Sequence, residues 1–120
     1  MTRYIDGFVI PVPTARVDEY RLMAEKAAIV WKEHGALDYW ECVADDLGTG
    51  DTLSFAQLAD VKPDETVIFS WVIYASKQAR DKANAEIFAD PRIKDMMDMT
   101  NQIFDCKRMA CGGFNQLVHA

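Results

Sequence analysis

The chain has 120 residues, of which 50% are hydrophobic and 27% are charged. This length suits one domain with a single core, so we predict one domain over residues 1–120. The net charge is −6, and the lysines and arginines are scattered along the chain. A nucleic-acid partner is therefore not expected, because it would need a clustered basic face.

No apolar run approaches the roughly 18 residues that a membrane-spanning helix needs. Residues 1–4 lead into a strand without the features of a secretory signal, and we therefore expect a cytoplasmic protein with no membrane partner. Cys42, Cys106 and Cys111 are odd in number and lack zinc-finger spacing, which favours reduced, packed thiols. The common phosphate-loop and metal-helix motifs are missing from the sequence, so we expect neither a metal nor a cofactor.

The first half of the chain predicts a strand, a helix and a second strand. Residues 4–10 form the first strand, which Pro11 and Pro13 should end because proline cannot donate to a sheet. A helix follows from about Thr14 and ends before Gly35. Its apolar residues recur every three or four positions and should face the core: Val17, Tyr20, Ala24, Ala27 and Trp31.

The second strand, residues 37–44, is mixed in polarity, which places it at an edge of the sheet. A long acidic connection over residues 45–65 follows. Within it, Ser54 and Gln57 have the spacing of a capping box, which predicts one helical turn through Leu58.

The third strand, residues 66–75, is the most apolar stretch and should be central in the sheet. Side chains alternate between the two faces of a strand. Both faces of this strand are apolar, with Val67, Phe69, Trp71 and Ile73 on one and Ile68, Ser70, Val72 and Tyr74 on the other.

The last part of the chain predicts two helices and a strand. Ser76 caps a helix that ends near Asp90, which in turn caps a short third helix. A loop over residues 98–106 leads to the last strand, residues 108–118, where a Gly-Gly pair marks a bulge or a close backbone approach. The third helix should turn three apolar residues inward: Ile93, Met96 and Met97.

The predicted order βαββαβ is that of a ferredoxin-like α+β fold with a four-stranded antiparallel sheet. Right-handed crossovers place both main helices on one side, so the other side of the third strand lacks cover. Leaving four large side chains wet would forgo roughly 6–12 kcal/mol, as much as the stability of a whole domain. We therefore predict a homodimer in which two open sheet faces stack, a dimeric α/β-barrel. The alternative is a monomer whose 45–65 connection folds over the sheet.

Short motifs spread along the chain carry a family resemblance: residues 4–13, 31–37, 41–46, 62–67, 69–71, 90–92, 107–109 and 112–114. In these stretches the chain resembles the DUF1428 family of YbaA-like bacterial proteins, nearly from end to end. The resemblance implies a dimeric α/β-barrel, in the superfamily that also contains antibiotic-biosynthesis monooxygenases and related small enzymes. It implies no particular activity.

Two residues are candidates for acid–base chemistry. Asp6 shares strand parity with Tyr4 and Phe8, and a buried carboxylate must find donors or shift its pKa upward. We predict Asp6 as a base, the alternative being a hydrogen bond to nearby backbone or to Arg108. His34, at a helix C-terminus, would be its proton partner, the alternative being a surface capping residue.

A further set of residues could form the wall of a ligand pocket between the helices and the sheet. Aromatic and methionine side chains suit such a wall, although they equally build plain core. An asparagine at the edge of the second helix's apolar stripe could orient a ligand or be solvated. The set is Trp31, Tyr39, Trp40, Trp71, Asn84, Met97 and Phe114.

These observations lead to two hypotheses about function. The first is a small homodimer that binds a hydrophobic or aromatic small molecule, with cofactor-independent oxygenase or isomerase-like chemistry by analogy of fold. The second is a non-catalytic structural or interaction dimer whose barrel is simply packed.

Overall fold

The structure is a computed structural model that describes residues 2–48 and 50–120. Its strands form one antiparallel sheet in the order β2-β3-β1-β4. The ferredoxin-like α+β fold is confirmed, with β3 inside the sheet and β2 at an edge as predicted. The strands are β1 Tyr4–Pro13, β2 Asp38–Val43, β3 Glu65–Tyr74 and β4 Ala110–Asn115, and the helices are α1 Val17–Glu33, α2 Phe55–Leu58, α3 Lys77–Ala89 and α4 Arg92–Ile103.

One face of the sheet packs against α1, α3 and α4 and holds the core. Val72 and Tyr74 of β3 are 1% and 0% exposed there, beneath Ala27 of α1 and Ile87 of α3. The predicted core stripe of α1 is buried or half-buried, together with Met23. Within the described parts of the chain, no helix is both long and apolar enough to cross a bilayer.

The opposite face of the sheet, here called the open face, has little cover. The predicted turn α2 forms with its capping box, and its Phe55 ring lies 5.7 Å from the Phe69 ring. The turn α2 thus covers one end of this face. Elsewhere the side chains remain accessible, and Trp40 is 50% and Phe114 60% exposed. The open face consists of Ile5, Gly7 and Val9 of β1, Trp40 and Cys42 of β2, Phe69, Trp71 and Ile73 of β3, and Phe114 of β4.

The prediction that Pro11 and Pro13 end the first strand was wrong, since β1 runs to Pro13. The partner β4 pairs with β1 only as far as Val9, so both prolines lie where one edge of β1 is free. Residues two apart direct their N–H positions to the same edge, so the two prolines can face the free edge without weakening the pairing with β3. The helix also starts later than predicted, at Val17, after a 3-10 turn at Thr14–Arg16.

The prediction of a loop over residues 98–106 was also wrong, because α4 continues to Ile103. Although many of its residues are polar, this helix has an apolar stripe formed by Met96, Met99 and Ile103 at spacings of three and four. Met97 lies one position away from this stripe and is 47% exposed, so it is less buried than predicted. The last strand is correspondingly shorter, Ala110–Asn115.

The Gly-Gly pair of β4 is a close approach and not a bulge, because pairing with β1 continues through Gly112 and Gly113. A Cβ atom on Gly113 would lie 2.1 Å from the Tyr4 hydroxyl oxygen. Arg80 donates a 3.2 Å hydrogen bond to that hydroxyl, and its guanidinium lies 4.7 Å from the centre of the ring. Tyr4 is therefore not free to move aside.

We expect Gly113→Ala to lower the free energy of unfolding by about 1–3 kcal/mol, as overpacking does elsewhere. Gly112→Ala is the matched control, because its Cβ would meet Phe114 at 3.8 Å, an ordinary contact. The control should stay within about 0.5 kcal/mol of the natural protein. Urea unfolding of both variants measures the difference, and equal effects would contradict the steric explanation.

Candidate functional site

A cavity of about 260 Å³ lies between the helical layer and the sheet. Its wall is mainly apolar and aromatic. Among the described residues that line it there is no lysine, arginine or histidine, and Glu41 is the one carboxylate. The apolar wall includes Ile10, Met23, Ala27, Trp31, Val72 and Phe104.

The cavity opens toward the surface near α3 and α4. Phe88 at the end of α3 lines it and is 65% exposed, and Met97 of α4 lines it while 47% exposed. These two exposed side chains form the mouth of the cavity.

Glu41 is held in the cavity wall by hydroxyl groups. It lies opposite Ser70 of β3, and Tyr39, two residues earlier in β2, lies on the same face. The Tyr20 hydroxyl of α1 donates to Glu41 Oε1 at 2.7 Å, and the Tyr39 hydroxyl donates to Oε2 at 2.7 Å. The Ser70 side chain is also hydrogen-bonded to this carboxyl.

Burial raises the pKa of Glu41 above its ordinary value, while the hydrogen bonds from Tyr20, Tyr39 and Ser70 act in the opposite direction. Burial, followed by the nearby Glu41 charge, raises the pKa of both tyrosines strongly, so they stay protonated and donate. A carboxylate has about four acceptor positions. Glu41 therefore keeps the capacity to accept a further hydrogen bond from a molecule in the cavity.

A second cavity, of about 300 Å³, lies between α1 and β2. It shares Tyr20, Tyr39 and Glu41 with the first one and is also lined by Arg21 and Glu25. The glutamate and its two tyrosines thus form a partition between the inner cavity and an outer cleft.

The structure places Asp6, the predicted base, on the helix side of β1 and 8% exposed. Arg80 Nη1 donates to Asp6 Oδ1 at 3.0 Å, whereas Arg108 pairs with Glu65. Burial raises the pKa of Asp6, and the Arg80 charge opposes this rise. Asp6 is not among the described residues that line the inner cavity.

His34 lies at the C-terminal end of α1 and joins it to α3. Its Nε2 atom is 2.8 Å from Asp90 Oδ2, and its Nδ1 atom is 3.3 Å from Glu86 Oε2. The hydrogen bond with Asp90 raises the pKa of His34, with a smaller contribution from Glu86. Asp6 and His34 therefore have separate partners, and the structure does not bring them together.

Three of the predicted wall residues line the inner cavity. The rings of Trp31 and Tyr39 meet edge to face with centroids 6.3 Å apart. Met97 lies at the mouth.

The other predicted wall residues lie elsewhere. Trp40 and Trp71 stack with centroids 5.6 Å apart at 12°, and with Phe114 they belong to the open face. Side chains alternate along a strand, so Trp40 and its neighbours in β2 lie on opposite faces of the sheet. Asn84 is half-buried on α3 and does not line the inner cavity.

Sequence reasoning missed Glu41, Tyr20 and Ser70 as a cluster. The available signal was a polar residue at an inward position of each of two paired strands, Glu41 in β2 and Ser70 in β3. The mixed polarity of β2 marks an edge strand, and the alternation along it also places Glu41 on the same face as Tyr39.

One helical layer on this four-stranded sheet defines a ferredoxin-like α+β protein. A NIPSNAP family protein of unknown function from Agrobacterium tumefaciens strain C58 has a TM-score of 0.63 at 12% identity, covering 95% of this chain and 87% of that one. A dimeric ferredoxin-like protein from an uncultured marine organism has a TM-score of 0.59 at 11% identity, covering 98% and 99%. At such identities the likeness shows the fold alone.

The amino-acid sequence gives a closer relationship. The family model described as "Protein of unknown function (DUF1428)" matches residues 3–106. The chain is also 43% identical over 116 residues to the uncharacterized protein YbaA of Escherichia coli strain K12, covering 97% of each. The protein belongs to the DUF1428 family, as its motifs predicted.

The raised pKa of Glu41 predicts a pH dependence of stability. The folded protein holds the Glu41 proton to a higher pH than the unfolded chain, whose ordinary value is 4.5. The contribution of Glu41 to the free energy of unfolding is therefore fully present below that pH and is lost as the pH rises through the folded pKa. Glu41→Gln should reduce this fall and leave the part that the raised pKa of Asp6 contributes.

Urea unfolding at a series of pH values measures the effect. Glu25→Gln, an exposed glutamate of α1, is the control and should keep the fall seen in the natural protein. If Glu41→Gln ran parallel to the natural protein across the whole pH series, the raised pKa would be refuted.

Proposed function

We propose that the protein is a homodimer that binds a small hydrophobic or aromatic molecule in the inner cavity of each subunit. The observation that carries this proposal is an apolar cavity of about 260 Å³ with one carboxylate in its wall. Small-molecule sites are typically apolar clefts with a few placed polar groups. The cavity has this character.

The volume of the cavity limits the size of the ligand. A dry apolar cavity of about 150 Å³ accepts benzene. A volume of about 260 Å³ therefore suits one substituted ring or two fused rings. The edge of Trp31 and the adaptable side chains of Met23 and Met97 fit flat molecules of this size.

Proton transfer is the chemistry for which the cavity supplies groups. Glu41 is a carboxylate with a raised pKa beside two protonated tyrosines, and such groups act as acids and bases in enzymes. Of the two activities expected by analogy of fold, the isomerase-like one needs nothing beyond these side chains, so we propose it ahead of oxygenation.

Filling the cavity should abolish ligand binding. Ala27 lines the inner cavity and is 6% exposed, so Ala27→Leu places additional atoms inside it. A saturation-transfer NMR screen of substituted benzenes, naphthalenes and quinones should find ligands for the natural protein. Their affinity for Ala27→Leu should fall about tenfold or more, a loss of at least about 1.4 kcal/mol.

The control for this screen is Ala85→Leu, which adds the same atoms on the exposed side of α3 and should bind as the natural protein does. Thermal melts check that both variants fold. If no compound of the screen binds the natural protein, the ligand-binding proposal fails and the packed structural dimer becomes the better hypothesis.

The proposal of a homodimer rests on the open face. Several of its large side chains remain accessible in the single chain, with Phe69 44% and Trp40 50% exposed. Contiguous apolar surface of this kind marks interaction sites in soluble proteins. A second copy fits because a two-fold axis sets the same patch against itself. The structural neighbour described as dimeric supports this choice of partner.

A charge on the open face should separate the subunits. Trp71 lies near the middle of that face in β3, so Trp71→Glu would bury two like charges across the two-fold axis. Sedimentation equilibrium at micromolar concentration should find a dimer for the natural protein and a monomer for this variant. Ile29→Glu, at a 58% exposed position of α1, is the control and should remain dimeric. A monomeric natural protein, or a dimeric Trp71→Glu variant, would contradict the proposed interface.

A further inference from the structure

We infer that Glu41 determines which molecules enter the inner cavity: neutral aromatic compounds that carry a hydroxyl group, such as phenols and naphthols. This inference rests on the proposed function, because it names the ligand class of the same cavity. In the proposed complex the ligand hydroxyl donates a hydrogen bond to a Glu41 oxygen, while the ring occupies the apolar part of the cavity.

Glu41 has acceptor capacity beyond its present partners. Each of its two oxygens receives one tyrosine hydroxyl at 2.7 Å, from Tyr20 and from Tyr39, and the Ser70 side chain is a third partner. Because a carboxylate has about four acceptor positions, there is room for a further donor. These donors hold the carboxyl group in place. Unlike an arginine or a lysine, they bring no positive charge to neutralise it. An oxygen with an open acceptor position in an apolar cavity is stabilised by a hydrogen-bond donor, and a hydrocarbon ligand cannot supply one.

Two other polar groups of the cavity wall are already engaged as donors. The Thr100 hydroxyl donates to the Met96 carbonyl oxygen at 2.7 Å. The Cys106 thiol donates to Asn101 Oδ1 at 3.2 Å. Glu41 is therefore the group on which a polar ligand atom would be oriented.

The cavity wall also lacks positive charge. Lysine, arginine and histidine are missing among the described residues that line the inner cavity. An aromatic carboxylate or phosphate in the cavity would lie beside Glu41 with no cation to compensate it, and like charges repel strongly away from water. The cavity should thus reject the acidic analogue of a ligand that it accepts.

A matched series of three ligands tests the inference: 2-naphthol, naphthalene and 2-naphthoate. Hydrogen bonds to charged groups contribute enough for a preference of about tenfold to hundredfold. Isothermal titration calorimetry should therefore show the natural protein binding 2-naphthol at least about tenfold more tightly than naphthalene, and 2-naphthoate most weakly. Glu41→Gln should lose most of the preference for 2-naphthol, gain affinity for 2-naphthoate and bind naphthalene unchanged.

Glu25→Gln is the control variant, because Glu25 lines the outer cleft and not the inner cavity. It should retain the order of affinities of the natural protein. Equal affinities of the natural protein for 2-naphthol and naphthalene would overturn the inference while leaving the cavity as a hydrophobic site. Failure of all three compounds to bind would instead remove the proposed function, and this inference with it. The comparison of the three ligands on the natural protein decides the matter even if Glu41→Gln does not fold.

Discussion

The alternation of side chains along β2 and β3 is the constraint on which this protein depends. Glu41 and Trp40 are neighbours in sequence, yet one enters the cavity under the helices and the other stacks on Trp71 on the open face. A register slip of one residue would exchange them, burying an indole where the carboxylate lies. The same pairing of strands therefore separates the proposed ligand cavity from the proposed dimer face.

Two carboxylates on the helix side of the sheet, the buried Asp6 and the half-buried Glu41, differ in their partners. Asp6 is paired with Arg80 at 3.0 Å, so its charge is compensated and it serves to tie β1 to α3. Glu41 has hydroxyl partners in place of a cation, and its carboxyl group lines the inner cavity. Burial raises the pKa of both. The two carboxylates thus differ in the kind of partner, a cation for Asp6 and neutral hydroxyl groups for Glu41, and the proposed ligand site depends on this difference.

The sequence was sufficient for most of the fold. The period of two in β3 and the caps at Ser54 and Ser76 are local signals, and each is present in the structure. The extension of β1 through Pro11 and Pro13 depends on where β4 stops pairing, which is a property of the assembled sheet. The residues after Met97 are mostly polar, yet they continue a helix. Its apolar stripe is recognisable only once the packing of the helix against the core is known.

The candidate site was harder to predict because it is assembled from distant parts of the chain. Tyr20 and Glu41 are 21 residues apart and meet only when α1 packs across β2. A single polar residue in a strand does not reveal on which face it will lie or what it will contact. His34 was predicted as a catalytic partner from its helix end, and the structure instead gives it two carboxylates on α3 and just beyond it.

The most direct test is to measure intermolecular nuclear Overhauser effects in a mixture of isotope-labelled and unlabelled chains. These effects show which face of the sheet contacts the second chain. The account predicts contacts between chains from the rings of Trp40, Trp71 and Phe114, with no such contacts from the wall of the inner cavity. Intermolecular contacts confined to the helical side, or none at all at micromolar to millimolar concentration, would contradict it.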